Sequence, residues 1–265
     1  MGDYVASISY GKDSLAMLEV IAQNNLPLDR IIHSEIQAVD GIPSELPDML
    51  NFKIRADKII KDRYGIQVEH VRASKTFEQL FYTPVRHRDP TYTGQCRGWP
   101  LTKGAWCARD QKIAVLQPLQ RHAEMVYLGI GPEEPRRHNV LTGKIRSPLV
   151  DYNISVGDRY EICRNLGLLS PVYTSSARSG CWYCPKQPLE QLRRIRKIYP
   201  EYWRIMLKWD CDSPVEYKPG HTLREYDRRF QAEDKGVVPL DRRFRWKMLE
   251  GEINEQHNAN NPNDM

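Results

Sequence analysis

The first half of the chain alternates short apolar runs with longer stretches of helical periodicity. Strands are predicted at residues 3–8, 29–35, 66–71 and 125–130. Apolar residues three and four positions apart predict helices at residues 13–24, 47–64 and 108–122, and residues 82–104 are predicted as a loop rich in Pro, Gly and Thr. Strands separated by helices indicate an α/β fold with a doubly wound (Rossmann-like), mostly parallel sheet.

The second half has a mainly helical pattern. A helix is predicted at 155–166, a tight turn at 180–185, and a basic amphipathic segment at 188–209 that Pro200 interrupts. The pattern weakens after residue 212, and residues 254–265 are rich in Asn. We therefore predict a nucleotide-binding α/β domain over 1–150, a helical, cysteine-containing C-terminal region over 151–250 and a flexible tail over 251–265.

Composition limits the class of protein only loosely. The 265 residues suffice for one large domain with an extension. No apolar run approaches the length of about 18 residues that a membrane helix needs, and the N-terminus lacks the pattern of a secretion signal. We therefore expect a cytoplasmic location and no contact with a membrane. A net charge of +5 is compatible with a polyanionic partner without indicating one.

Residues 9–14, read as Ser-Tyr-Gly-Lys-Asp-Ser, stand between the first predicted strand and the first predicted helix. They combine a Gly that permits close backbone approach, hydroxyl groups, the N–H groups of a helix N-terminus and one Lys, which together suit a bound phosphate. The spacing of a Walker A loop is absent. The alternative is an ordinary turn with a solvated Lys12. Below, residues 9–14 are called the phosphate loop.

Other polar residues also follow the ends of predicted strands. Glu35 comes after the second strand, and residues 129–137 come after the fourth. In open parallel sheets, ligands bind beyond the carboxyl ends of the strands. We therefore expect Glu35, residues 129–137 and the phosphate loop to meet at one edge of the sheet.

Cysteine spacing indicates a second kind of chemistry. Cys181 and Cys184 form a C-x-x-C pair, and Cys107 and Cys96 precede them. In a reducing compartment such a set suits zinc or an iron–sulfur cluster better than disulfides. A thioredoxin-like redox pair is the alternative for the C-x-x-C, and simple burial is favoured for Cys163.

The basic segment has two interpretations. Arg193, Arg194, Arg196 and Lys197 alternate with apolar and aromatic residues. This pattern fits either a solvated helix face or contacts to the phosphates and bases of a nucleic acid.

The phosphate loop resembles the PP-loop of the adenine nucleotide α-hydrolase-like superfamily. Over residues 3–210 the chain resembles the PAPS reductase family, and within it the phage and DNA-phosphorothioation-type ATP pyrophosphatases. The segments that carry this resemblance are Arg97-Gly98-Trp99-Pro100, Trp106-Cys107, Lys112, Gly129-Ile130, Glu133-Glu134, Arg137, Pro148-Leu149, Tyr173 and Arg178-Ser179-Gly180-Cys181-Trp182-Tyr183-Cys184-Pro185.

The resemblance implies ATP and Mg²⁺ as ligands and Lys12 and Asp13 as catalytic residues. It implies a nucleotide site formed by Ser7, Ser9, Tyr10, Gly11, Lys12, Asp13, Ser14, Glu35, Gly129, Glu133, Glu134 and Arg137. It also implies a 4Fe–4S cluster, with zinc as the alternative, on Cys107, Cys181 and Cys184. The fourth ligand would then be Cys96, or Cys211 as the alternative.

Three departures from the family pattern bear on the reaction. Gly131 stands where the family often has Arg, Trp106-Cys107 replaces a tandem cysteine pair, and no cysteine follows Cys211 to act as the reductase nucleophile. We therefore expect an ATP pyrophosphatase that adenylates an acceptor for sulfur transfer. Nucleic-acid thiolation or phosphorothioation is the favoured pathway, with a cysteine desulfurase or another sulfur donor as partner.

Two alternatives stay open at this point. One is a sulfonucleotide reductase that uses Cys211 or Cys96 as an altered nucleophile. The other is a non-catalytic nucleotide- and nucleic-acid-binding subunit of a modification or defence complex.

Overall fold

A computed structural model describes most of the chain. The described residues are 2–86, 91, 93–101, 104–174, 180–241 and 243–249. The predicted tail over 251–265 lies outside them, and so do Arg178 and Ser179 of the family-like segment.

Five parallel strands form the main sheet, in the order β5-β2-β1-β6-β7. The strands are β1 (Tyr4–Ile8), β2 (Arg30–Glu35), β3 (Gln37–Val39), β4 (Ile42–Pro43), β5 (Val68–Arg72), β6 (Met125–Leu128) and β7 (Ile145–Arg146). The four predicted strands are confirmed as β1, β2, β5 and β6. Strand β7 and the antiparallel β3–β4 hairpin were not predicted, because two or three residues are too few to establish an alternating pattern.

Helices cover both sides of this sheet, which confirms the predicted doubly wound α/β class. They are α1 (Lys12–Gln23), α2 (Pro47–Tyr64), α3 (Phe77–Phe81), α4 (Trp106–Ala108), α5 (Ala114–Gln120), α6 (Pro148–Asp151) and α7 (Val156–Asn165), with a π-helical turn at Arg109–Ile113 between α4 and α5. None of the described helices is long and apolar enough to cross a membrane.

Local sequence accounts for several helix ends. Pro47 occupies the first turn of α2, and Gly65 ends that helix with a φ of 70°, a backbone conformation that favours glycine. Ser155 caps α7 in a capping box with Asp158.

The central strand β1 and helix α1 form the middle of the core. Val5, Ala6 and Leu15 are fully buried, and α1 is buried along most of its length. This burial holds the turn between β1 and α1, which is the phosphate loop, on a rigid base.

The chain divides into two compact units. Unit 1 comprises Met1–Thr83 and Lys103–Gln187, and unit 2 comprises Pro84–Thr102 and Pro188–Met265. These units divide the chain at other positions than residue 150, the boundary predicted from the sequence, which falls within α6. Unit 1 keeps α7 because that helix packs against α1.

Unit 2 contains α8 (Leu189–Ile198), α9 (Pro200–Asp212) and α10 (Leu223–Asp234). Helix α10 was not predicted. Its N-terminus is held by Asp210, which is almost completely buried and accepts hydrogen bonds from the N–H groups of Leu223 and Arg224 and from Trp99 Nε1. Asp210 therefore joins three segments that are distant in sequence.

Candidate functional site

The phosphate loop turns sharply at Tyr10. Tyr10 has a φ of 54°, whereas Gly11 has a φ of −79°, so the left-handed residue is the Tyr and not the Gly. The Tyr10 side chain is fully buried, and its hydroxyl donates to the Asp57 carboxylate on α2. This anchor stabilises a backbone conformation that a large residue seldom adopts.

Serine hydroxyls form hydrogen bonds within and next to the loop. Ser14 Oγ donates to the Gly11 carbonyl at 3.0 Å and accepts from the Ser9 N–H at 3.1 Å. Ser7, which the resemblance also placed in the nucleotide site, lies within β1, and its hydroxyl accepts a hydrogen bond from Gln120 Nε2 at 2.7 Å.

The N-terminus of α1 is suited to an anion. Gly11 provides no side-chain cap, although the Lys12 N–H donates to the Tyr173 hydroxyl at 3.0 Å. A helix of 12 residues presents a partial positive charge at such an end. The Lys12 ammonium lies 5.4 Å from the centre of the Tyr160 ring and adds a full positive charge.

The segment after β6 packs directly on this helix end. A Cβ at Gly129 would lie 2.7 Å from Ser14 N and Ser14 Cα, so any larger residue would displace the loop. The structure thus brings together the phosphate loop and the start of the 129–137 segment, two regions that strand ends had placed on one edge of the sheet.

Four charged side chains converge at the loop. Asp13 Oδ1 lies 2.7 Å from Lys12 Nζ and 2.9 Å from Arg159 Nη1, and Arg159 Nη2 donates to Glu133 Oε1 at 2.6 Å. Burial opposes ionisation of Glu133, but the hydrogen bond and charge of Arg159, a backbone hydrogen bond and the charge of Lys12 together outweigh it, and the pKa of Glu133 is lowered. Sequence reasoning missed Arg159, since a single arginine on a helix carries no spacing signal.

Glu134 and Arg137 form a local pair. Arg137 Nη1 donates to Glu134 Oε1 at 2.8 Å, and Glu134 Oε2 accepts from the Gly131 N–H at 3.2 Å. The Arg137 side chain is more than half exposed. These two residues therefore shape the loop after β6.

Glu35 belongs to a neighbouring charged group. Its Oε1 atom lies 3.0 Å from His70 Nδ1 and 3.5 Å from Lys53 Nζ. His70 Nε2 lies 2.9 Å from Asp57 Oδ2 and 3.2 Å from the Tyr10 hydroxyl. Among the described residues, no hydrogen bond or ion pair joins Glu35 directly to Lys12 or Asp13, so Tyr10 is the link between the two groups.

The pKa values of the two histidines in this region, His70 and His33, are shifted in opposite directions. The Asp57 carboxylate is the main cause that raises the pKa of His70, with Glu35 adding to it, because both ring nitrogens of a charged imidazole can then donate. Burial lowers the pKa of His33 to about 3, so His33 is neutral. Its Nδ1 atom lies 3.0 Å from the Ile8 carbonyl at the end of β1.

Three cysteine thiols lie near one another in unit 1. Burial is the main cause that raises the pKa of the Cys107 thiol and raises that of Cys181 to about 12, and Cys184 contributes electrostatically to both. The Cys184 N–H donates to the Cys181 carbonyl at 3.1 Å in the C-x-x-C turn. Three sulfur donors from two segments fit a thiolate-bound metal centre in their chemistry, because a bound cation would offset the raised pKa values.

The side chains are not arranged as a finished ligand set. Within the part of the chain that the structure describes, no group of three or more His, Cys, Asp or Glu side chains is placed to hold a metal ion. The predicted fourth ligands belong to unit 2, where the Cys96 thiol donates to the Asp212 carbonyl at 3.3 Å and Cys211 is exposed. The ligand assignment stays a prediction.

The basic segment pairs mainly with its own unit. Arg193 donates from Nε and Nη2 to Glu233 on α10 at 2.6 and 2.7 Å, and Arg196 pairs with Asp227 and Asp234 of the same helix. Lys197 is exposed. Two of the four predicted nucleic-acid contacts are thus engaged in fixing α8 to α10.

No protein-family model and no curated protein matches the chain. Among solved structures, it is similar to "U34-tRNA thiolase NcsA from Methanococcus maripaludis with its 4Fe–4S cluster", at 15% identity and a TM-score of 0.37, over 86% of this chain and 71% of that one. Likeness at this level does not assign a function to the chain.

Proposed function

We propose that the chain is an ATP pyrophosphatase that adenylates an acceptor as the first step of sulfur transfer. The observation that carries the proposal is the N-terminus of α1, where Gly11 supplies no side-chain cap, with the Lys12 side chain beside it and the Gly129 backbone packed on Ser14. This arrangement suits the phosphates of a nucleotide that enters at the carboxyl edge of the sheet.

The chemistry follows from charge. An acceptor oxygen attacks the α-phosphorus, the bond between that phosphorus and the bridging oxygen breaks, and pyrophosphate leaves. Lys12 and the α1 N-terminus stabilise the charge on the departing pyrophosphate. Mg²⁺, when bound, would neutralise phosphate charge, and the carboxylates available for it are those of Asp13, Glu133 and Glu35.

The thiols define the sulfur-transfer part of the proposal. Cys107, Cys181 and Cys184 would hold a 4Fe–4S cluster or, as the alternative, zinc, with Cys96 or Cys211 as a fourth ligand. Such a centre would supply or position sulfur. The acceptor class that we favour is a nucleic acid, and the donor is a cysteine desulfurase or a similar enzyme.

Pyrophosphate release from ATP and Mg²⁺ tests the first step. Anaerobically reconstituted wild-type protein is expected to release pyrophosphate in the presence of candidate nucleic acids, and Lys12→Ala to lose at least about a hundredfold in rate. Arg164→Gln, which removes an exposed positive charge of α7 outside the predicted sites, is the control.

Absence of pyrophosphate with every acceptor would contradict the proposed reaction. ATP binding without turnover would instead favour the non-catalytic subunit, and sulfite release from a sulfonucleotide would favour the reductase.

A further inference from the structure

Arg159 is the most deeply buried charged group beside the phosphate loop. Its side chain is 0% exposed, although it lies on α7, outside both loops that form the candidate nucleotide site. Nε donates to the Ser155 carbonyl at 3.1 Å, Nη2 donates to Glu133, and Nη1 lies beside Asp13. A buried guanidinium is stabilised by hydrogen bonds and ion pairs with its carboxylate partners.

Gly131 provides the space for this guanidinium. A Cβ at position 131 would lie 2.1 Å from Arg159 Nη1 and 2.5 Å from Glu133 Oε2. Any larger residue at 131 would therefore clash with both the guanidinium and the Glu133 carboxylate, and their contact would have to rearrange. Gly131 and Arg159 act as a matched pair in which one residue leaves the room that the other fills.

Asp13 is shared between two cations. Its Oδ1 atom faces both Lys12 Nζ and Arg159 Nη1, and within the described part of the chain the buried Nη1 makes no well-aligned hydrogen bond. Without Arg159, the full charge of Asp13 would be directed at Lys12 and would weaken the attraction of Lys12 for an incoming phosphate. With Arg159, part of that charge is already balanced.

We propose that Arg159 is a positioning residue of the nucleotide site, which holds Asp13 and Glu133 in place and thereby keeps Lys12 available for the phosphates of the nucleotide. The inference rests on the proposed function in so far as the ligand is a nucleotide polyphosphate. It goes beyond that function in assigning a role to a residue on α7 and to the absence of a side chain at Gly131.

A double-mutant cycle on binding tests the assignment. Dissociation constants for ATP, inorganic pyrophosphate and adenosine are measured for wild type, Arg159→Gln, Asp13→Asn and the double variant. Arg159→Gln is expected to weaken ATP binding about tenfold, the loss of roughly one charge-assisted interaction, and to leave adenosine binding unchanged. In the Asp13→Asn background the same change should cost less than about threefold, because Arg159 acts through Asp13.

Three further variants test the geometry of the guanidinium, the space at position 131 and the specificity of the effect. Arg159→Lys retains the charge without the two-pronged geometry and should lie between wild type and Arg159→Gln. Gly131→Ala should weaken ATP binding in the same direction by displacing the guanidinium, even if Arg159→Gln fails to fold. Arg164→Gln, an exposed arginine of the same helix, should bind ATP as wild type does.

Equal losses from Arg159→Gln in both backgrounds would overturn the proposal, since the effect of Arg159 on Lys12 would then not pass through Asp13. Unchanged ATP binding in Arg159→Gln and Gly131→Ala would overturn it as well. If wild-type protein binds ATP but releases no pyrophosphate, the proposed reaction is contradicted. The double-mutant cycle then still tests the role of Arg159, because it measures binding alone. Wild-type protein that binds neither ATP nor pyrophosphate contradicts both.

Discussion

Two arginines, one in each unit, show how differently the same side chain is used. Arg159 of unit 1 is fully buried and divides its contacts between Asp13 and Glu133, whose side chains are 30% and 46% exposed. Arg193 of unit 2 directs two hydrogen bonds to one carboxylate, Glu233, which is 1% exposed. Partly exposed carboxylates retain the capacity to meet a ligand, whereas a buried one is already satisfied.

The comparison distinguishes an arginine beside the candidate site from one that joins two helices. Arg193 belongs to a stretch whose basic character fitted either nucleic-acid contact or a solvated helix face, yet it fixes α8 to α10. Arg159 stands alone in its stretch of sequence, yet it lies beside the phosphate loop. The partner carboxylate, more than the density of positive charge, therefore distinguishes the two roles.

The largest effect is expected from Glu233→Ala. The change leaves Arg193 and the nearly buried Arg229 facing each other without their common carboxylate. We expect unit 2 to lose about 3 kcal/mol of unfolding free energy, as for other broken buried ion pairs. Urea denaturation followed by tryptophan fluorescence measures it. A loss below about 1 kcal/mol, or weaker ATP binding by folded protein, would break the contrast between the units.

A smaller effect is expected from Arg193→Gln. Glu233 keeps Arg229 as a partner, so the free energy of unfolding should fall by about 1.5–2 kcal/mol, the lower part of the range for a lost hydrogen bond to a charged group. Lys197→Gln on the same helix should change stability by less than about 0.5 kcal/mol, since Lys197 is exposed. Nucleic-acid binding should weaken more in Lys197→Gln than in Arg193→Gln. The reverse order would show that Arg193 contacts the nucleic acid.

The smallest effect concerns His70 and its two carboxylates. Because the pKa of His70 is raised in the folded state, its pairing with Asp57 and Glu35 stabilises the protein fully below the unfolded pKa of about 6.5. That stabilisation is lost as the pH rises through the folded pKa. The groups are partly exposed, so the change should stay below about 1 kcal/mol.

Urea unfolding of wild type and His70→Gln over a series of pH values measures this contribution. The difference in stability between the two proteins should shrink from acidic to alkaline pH. A difference that grows with pH would show that neutral, uncharged His70 is the form that the fold prefers.

Local patterns in the sequence predicted much of unit 1. The alternating strands, the ends of α2 at Pro47 and Gly65, and the turn between β1 and α1 all follow from interactions between residues close in sequence. Helix α10 begins with a local capping box of Thr222 and Glu225, a sequence signal that was passed over, whereas the support of its N-terminus by Asp210 of α9 is visible only in the structure. The candidate site combines both kinds of feature. The phosphate loop is one continuous segment and was predicted, whereas the contact of Arg159 with Asp13 joins residues far apart in sequence and was not.

The sequence by itself determined the strand–helix order, the phosphate loop, and the presence of a C-x-x-C pair with further cysteines, because each depends on neighbouring residue types. Only the tertiary structure decided that the left-handed residue is Tyr10, that Gly131 makes room for Arg159, and that Arg193 serves as a brace. Each of these depends on side chains from distant segments that compete for one buried space or one carboxylate. A local sequence pattern cannot predict these contacts, because they are determined by the packing of distant segments and by the burial of charge.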